Sequence, residues 1–205
     1  MEDLFPEPLP DGITLLPRHA EAAVLLPLID AIAAGSPPRH LTVPGGGTMS
    51  VAMTSCGTLG WVSDARGYRY DTVDPLTGRP WPDMPATLAD LAHDAAARGG
   101  FPGFVPDACL INTYVPGARM GLHQDRDERD FGHPIVSVSL GLDAVFLIGG
   151  TRRADPTRPL ALSDGDVLVF GGPARRIYHG VRPLKAGHHP LLGARRLNLT
   201  FRRAG

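Results

Sequence analysis

From residue 108 to the C-terminus the chain is a succession of short apolar runs, each cut off by glycine, proline or aspartate. Residues 109–115 end at Pro116-Gly117, residues 135–140 alternate with period two, and residues 144–148 follow a Gly-Leu-Asp turn. Residues 160–162, 166–170, 175–179 and 196–201 complete the series. Runs of this kind are strands, since alternation sends successive side chains to opposite faces of a sheet. Several in close succession, joined by Asp-Gly and Gly-Gly turns, predict a double-sheet jelly roll or a related barrel. The 25 glycines and 21 prolines suit tight turns better than a helical bundle.

The first hundred residues read differently. Residues 1–16 are proline-rich and acidic, an expected extended lead-in. Residues 17–34 predict a helix with Ala23, Leu26, Ile29 and Ala33 on one face, a kink at Pro27 and a stop at Gly35. Gly45-Gly46-Gly47 marks a loop, after which residues 48–54 alternate as a strand. Residues 57–84 hold Trp61, Tyr68, Tyr70 and Trp81 among glycine, proline and aspartate, which predicts a long aromatic-rich loop. Residues 85–98 predict a second helix with Leu88, Leu91, Ala92 and Ala95 inward and Gly99-Gly100 at its end. The sum is an α+β chain in which N-terminal helices support a β-roll. At 205 residues it fits one domain with a full core.

Cys56 and Cys109 form no metal or redox spacing, so a reduced, cytoplasmic protein is expected. The N-terminus has neither a basic segment nor an apolar one behind it, which argues against a secretory signal. No apolar run reaches the roughly 20 residues that cross a bilayer, so no membrane partner is expected. Nothing resembles an association segment, and a monomer is expected. Charge is unevenly divided: residues 151–205 hold eleven Lys/Arg against three Asp/Glu, and residues 1–150 hold nine against eighteen. A basic C-terminal segment suits a polyanionic partner, and equally a solvated arginine face.

Within the strand series, His123-Gln124-Asp125 carries chemistry. On extended backbone His123 and Asp125 point the same way. They are two of the three ligands of a 2-His-1-carboxylate iron(II) site, and His179, before Gly180, is the candidate third. Taken alone, the pair also reads as polar residues of the charged run 125–130, and His179 as a core histidine. Taken jointly, on the rims of a β-roll, they match a facial triad with coordination positions left open. In residues 196–202, Arg196, Asn198, Thr200 and Arg202 share one strand face, while Leu197, Leu199 and Phe201 fill the other. If the polar face lines the barrel, its arginines need anions, and a small dicarboxylate fits the guanidinium fork. Asn112 and Tyr114, on one face of their own strand, would add donors. The competing reading is an edge strand with its polar face in water.

Ser50-Val51-Ala52-Met53-Thr54, Leu59-Gly60-Trp61, residues 106–112, His123-Gln124-Asp125, residues 135–142, Tyr178-His179-Gly180 and Asn198-Leu199-Thr200-Phe201-Arg202 together resemble the bacterial AlkB proteins. These are Fe(II)- and 2-oxoglutarate-dependent dioxygenases that repair alkylated nucleobases. The resemblance runs from about Thr48 to the end. It implies one domain, with a double-stranded β-helix core over residues 105–205 and helices plus a nucleotide-recognition lid over residues 1–100. It makes His123, Asp125 and His179 the iron ligands. Arg202 would pair with the distal carboxylate of 2-oxoglutarate, and Asn112, Tyr114, Arg196 and Asn198 would hold the rest. Trp61 and His123 would sandwich a flipped base, and Asp127 would read its exocyclic amine or cationic ring. Tyr68 and Arg153 would contact the nucleotide, and Met49 and Met53 would line the base pocket.

The implied reaction uses O2 to demethylate 1-methyladenine and 3-methylcytosine in DNA, releasing formaldehyde, succinate and CO2. Single strands are the expected form, with RNA a further possibility. The alternatives are the same chemistry on RNA, a protein side chain or a small metabolite, and a jelly-roll module that binds without turnover. The chain departs from its bacterial relatives at Gly47, Thr113 and Phe170, where they carry Tyr, Arg and Trp. The first two fall near the expected lid and nucleotide path.

Overall fold

The computed structural model of this chain describes residues 8–205. Two antiparallel sheets face each other, and helices pack on the outer face of the larger one. The N-terminal part contributes β1 (Ile13–Leu16), α1 (Ala22–Gly35), β2 (Arg39–Thr42) and β3 (Thr48–Gly57). Two small hairpins follow, β4 (Gly60–Asp64) with β5 (Gly67–Asp71) and β6 (Val73–Asp74) with β7 (Arg79–Pro80), and then α2 (Ala86–Arg98). The strand-rich part holds β8 (Ala108–Tyr114), β9 (Met120–His123), β10 (Ile135–Gly141), β11 (Ala144–Ile148), β12 (Arg158–Leu162), β13 (Val167–Phe170), β14 (His179–Val181) and β15 (Arg196–Arg202). The larger sheet runs β1-β13-β10-β15-β8-β3-β2 and the smaller β12-β11-β14-β9. This is the double-sheet jelly roll that the strand spacing predicts, and the double-stranded β-helix that the family resemblance implies.

Alternation explains why β15 serves two environments. Leu197, Leu199 and Phe201 enter a core beneath the helices, against Leu25, Ile29, Leu88 and Ala92. Arg196, Asn198, Thr200 and Arg202 face the space between the sheets. With three strands on either side of it, β15 is no edge strand, and that competing reading is overturned. A second core, between the sheets, joins Ile135, Leu168 and Phe170 to Phe146, Ile148 and Val181.

Several local expectations are corrected. α1 begins at Ala22, with Pro17 in a turn before it, and buries Ala22, Leu25, Ile29 and Ile32; of the expected quartet only Ile29 is fully inward. The helix runs through Pro27, which stands with Ala23, the residue whose carbonyl it leaves without a donor, on the exposed side. Residues 13–16, expected as part of the lead-in, form β1 and pair with β13; residues 1–7 of that lead-in lie outside the described residues. Residues 57–84 are two hairpins rather than a loop. Trp81 is buried there, donating from Nε1 to the Asp71 carbonyl at 2.9 Å. Residues 175–178 are not a strand. Gly172–Ala174 turns as a 3-10 helix around Pro173, so pairing restarts only at His179, which opens β14 instead of closing a strand. No helix among the described residues is long and apolar enough to cross a membrane.

A Cβ on Gly60 would overlap the Trp81 indole, whereas Gly45 faces open space. Gly60→Ala is therefore expected to lower the unfolding free energy by about 1–3 kcal/mol through overpacking. Urea denaturation reads this as a lower midpoint, with Gly45→Ala unchanged as the control.

Candidate active site

β9 and β14 pair antiparallel with His123 directly opposite His179. Facing residues of such a pair share one side of the sheet at short Cβ separation, and the two rings lie 4.4 Å apart. Asp125 follows His123 by two residues and turns to the same side. Its Oδ1 is 3.7 Å from His123 Nε2 and its Oδ2 3.9 Å from His179 Nε2. One ligand atom from each residue falls within 4.8 Å of the others, so the three ligands expected from sequence converge.

The rest of each imidazole is committed. His123 Nδ1 lies 2.9 Å from the Gly121 carbonyl and His179 Nδ1 3.2 Å from that of Ile177. A carbonyl only accepts, so each Nδ1 carries a proton, and each Nε2 is the ring nitrogen that faces Asp125. This second partner fixes the tautomer a metal needs. Burial, above all, brings the His179 pKa down to about 4, so its ring is neutral near pH 7. Phe146 and Phe170 supply that burial, with ring centroids 5.6 and 5.2 Å from His179. For Asp125 burial pushes the pKa up, but Arg202 and the two imidazoles outweigh it and hold the carboxyl well below the usual range. Arg202 donates to Asp125 Oδ2 from Nη2 at 2.8 Å and from Nε at 3.2 Å. The Oδ1 that faces His123 is left for a cation.

A hub not foreseen from the sequence stands behind this pair. Glu128 is buried; its Oε1 accepts from the Tyr70 hydroxyl at 2.9 Å and lies 3.1 Å from Arg202 Nε. Its Oε2 is 3.1 Å from Arg175 Nη2. Arg175 also donates to the carbonyls of Asp125, at 3.3 Å, and His133, at 3.0 Å. Glu128 sits in the run 125–130, which reads as a solvated loop, and Arg175 in a stretch read as strand. The available signal was arithmetic: more than one buried arginine near one aspartate calls for a second carboxylate.

Deeper between the sheets, Arg196 is 1% exposed and lies over the Tyr114 ring at 5.0 Å from its centroid. Its Nη2 donates to Ser139 Oγ at 2.9 Å, while Nε and Nη1 have no hydrogen-bond partner. Asn198 donates to Ser137 Oγ at 2.8 Å and to the Val138 carbonyl at 3.0 Å, and Asn112 Oδ1 is unpartnered. At the other end, Trp61 Nε1 donates to Asp127 Oδ2 at 2.6 Å, and the Tyr68 ring stacks on the indole. Arg153 donates to the Leu122 carbonyl at 2.8 Å. Met49, Met53, Trp61, Tyr68, Asp127 and Arg153 line the same cavity of about 760 Å³ as the ligand triad and the Arg196 cluster.

The profile of the 2OG-Fe(II) oxygenase superfamily matches residues 12–202. The chain is 54% identical over 200 residues to the alpha-ketoglutarate-dependent dioxygenase AlkB of Salmonella typhimurium, covering 97% of this chain and 93% of that protein. The Escherichia coli protein of the same name matches at 54% over 201 residues. This chain belongs to the AlkB family of 2OG-Fe(II) oxygenases. An AlkB homolog of Caulobacter vibrioides is 50% identical over 197 residues, 94% of this chain and 88% of that one. The solved structure of OsALKBH1 superposes with a TM-score of 0.82 at 30% identity, over 96% of this chain and 99% of that chain. The superfamily works with iron(II), 2-oxoglutarate and O2, and the AlkB-family residues present here fit them. Two imidazoles and an ionised carboxylate suit iron(II), and a buried guanidinium with two unpaired nitrogens suits a carboxylate.

Two outcomes follow. Unfolded histidine titrates near 6.5 and His179 near 4, so between these values the unfolded chain binds the extra proton; stability of the metal-free protein therefore falls by about 3 kcal/mol as pH drops through that window. Urea midpoints against pH should show the slope, and His179→Asn should flatten it. Glu128→Ala leaves Arg175 and Arg202 buried without their shared carboxylate, an expected loss of about 3 kcal/mol in stability. A cobalt(II) absorption titration should also show weaker metal binding, since Arg202, which holds Asp125, loses its second carboxylate partner.

Proposed function

We propose that this chain oxidatively demethylates alkylated bases in DNA, with 1-methyladenine and 3-methylcytosine as substrates. One observation carries the reading: the ligand triad, the unpaired Arg196 guanidinium and the Trp61–Asp127 pair all open on a single cavity. Its volume, about 760 Å³, suits a base and a small diacid together.

His123, Asp125 and His179 would hold the iron through two Nε2 atoms and Oδ1. Bound iron(II) and 2-oxoglutarate supply, with O2, the oxidation of an N-methyl carbon that leaves as formaldehyde, with succinate and CO2 formed alongside. The residues' share is positioning. Arg202 already faces Asp125 and Glu128, whereas Arg196 lacks an anion. That supports a division opposite to the one expected from the family pattern. Arg196, with Asn112, Tyr114 and Asn198, would take the distal carboxylate, and Arg202 would orient Asp125 beside the proximal one. Trp61 and His123 would flank the extruded base, with Met49 and Met53 around it, and Asp127 would accept from its amine. Tyr68 and Arg153 would contact the nucleotide. The β2–β3 and β4–β5 segments would form the lid of a single domain spanning residues 1–205. The two lesions are cationic, which a carboxylate and an indole face both favour. Single-stranded DNA is the preferred form in this reading, because no base pair must be opened. The enzyme would act as a cytoplasmic monomer.

The test is an iron-loaded assay on single-stranded DNA containing 1-methyladenine, following formaldehyde and succinate together. Equimolar release, abolished by His123→Ala and Asp125→Ala, is expected, and Arg196→Gln should raise the KM for 2-oxoglutarate at least tenfold, about the worth of one charge-assisted pair. Succinate without formaldehyde would remove DNA as the substrate and turn attention to RNA, protein and metabolites. Iron binding without succinate would leave a binding module.

A further inference from the structure

At the mouth of the cavity Trp61 and Asp127 are joined edge to edge, 66 residues apart in sequence. Asp127 lies in the irregular segment after β9 and is exposed, so without a partner its carboxylate would sample several rotamers. The indole N–H removes that freedom by engaging Oδ2 at 2.6 Å. Oδ1 has no hydrogen-bond partner among the described residues. The indole is itself held. Tyr68 covers one of its faces, with ring centroids 5.5 Å apart and planes 12° from parallel, and the β4–β5 ladder pairs Trp61 with Tyr70. Trp61 at the same time lines the cavity.

We propose that the Trp61 indole N–H is a specificity-determining positioning group, which aims the free oxygen of Asp127 at the exocyclic group of a base stacked on the indole. This deepens the dealkylation reading and rests on it. A base on the indole face presents its edge, not its face, to an acceptor fixed at the indole rim. An ionised carboxylate only accepts. Adenine N6 and cytosine N4 donate at that edge, while guanine O6 and thymine O4 set lone pairs against its charge. An acceptor that could swing away would tolerate both kinds of base. One that is anchored pairs with the amino bases and penalises the oxo bases. The indole thus contributes twice, a face for stacking and an N–H for orientation, and Trp61→Phe separates the two by keeping an aromatic face and deleting the donor.

The experiment uses the full-length, iron-loaded enzyme on single-stranded oligonucleotides carrying 1-methyladenine, 3-methylcytosine, 1-methylguanine or 3-methylthymine. In Trp61→Phe the ratio of kcat/KM for amino over oxo lesions is expected to fall roughly tenfold, the scale of one charge-assisted hydrogen bond. The loss should sit in KM for the amino lesions, with kcat within about twofold, since the N–H acts on base placement. In an Asp127→Ala background the same change should alter the ratio by less than about twofold, because the two residues act as one unit. Thermal midpoint and cobalt(II) affinity, matched to the unsubstituted enzyme, would show that Trp61→Phe is folded. An unchanged ratio, an equal loss on all four lesions, or multiplicative effects in the double variant would each overturn the proposal and leave dealkylation standing. An unsubstituted enzyme that acts on none of the four would take both down.

Discussion

The antiparallel register of β9 against β14 is the constraint on which the site depends. It sets His123 across from His179 at 4.4 Å between rings, and the extended backbone beyond His123 then brings Asp125 to the same side. A slip of one residue would send one imidazole to the opposite face of the sheet and dissolve the triad. The register is secured on both flanks. On its other edge β14 pairs with β11, where Ile148 lies opposite His179, and Nδ1 of each histidine is tied to a carbonyl two residues back in its own strand or approach. Phe146 and Phe170 close the remaining side of His179 and keep its ring neutral.

Charge balance is the second requirement, and it explains the hub. Asp125 must stay ionised inside the fold, which Arg202 ensures; Arg202 and Arg175 in turn need Glu128. Unpaired, any of these buried groups would be strongly unfavourable. Arg196 is the exception, with Nε and Nη1 unmatched. Arg175, Arg196 and Arg202 are all buried, so the basic balance of the C-terminal segment is partly internal and only the remainder is available to a nucleic acid.

The two ends of the cavity are built from different material. The end around Arg196 stands on β8, β10 and β15, central strands of the larger sheet. The end around Trp61 and Asp127 stands on β3, on the β4–β5 hairpin and on the segment after β9. The first end thus rests on the packed centre, and the second on peripheral pieces of the kind that tolerate change. Of the three departures from the bacterial pattern, Phe170 borders the cavity, beside His179, whereas Gly47 and Thr113 are not among its lining residues.

Elements whose identity rests on local periodicity were legible in the sequence. Residues 144–148 and 135–140 match β11 and β10, residues 85–98 match α2, and the two faces of β15 divide as alternation requires. The triad and the arginine strand were readable for the same reason, since ligand chemistry and period two are properties of short segments. What escaped was settled by partners distant in the chain. β1 exists because β13 offers it an edge, and in the aromatic segment of residues 57–84 the buried Trp81 finds the Asp71 carbonyl and Tyr70 the buried Glu128. Glu128 and Arg175 look like surface charges until the fold encloses them together. Sequence carries period and chemistry, which neighbouring residues specify; register, burial and the pairing of charges depend on segments brought together only when the sheets close.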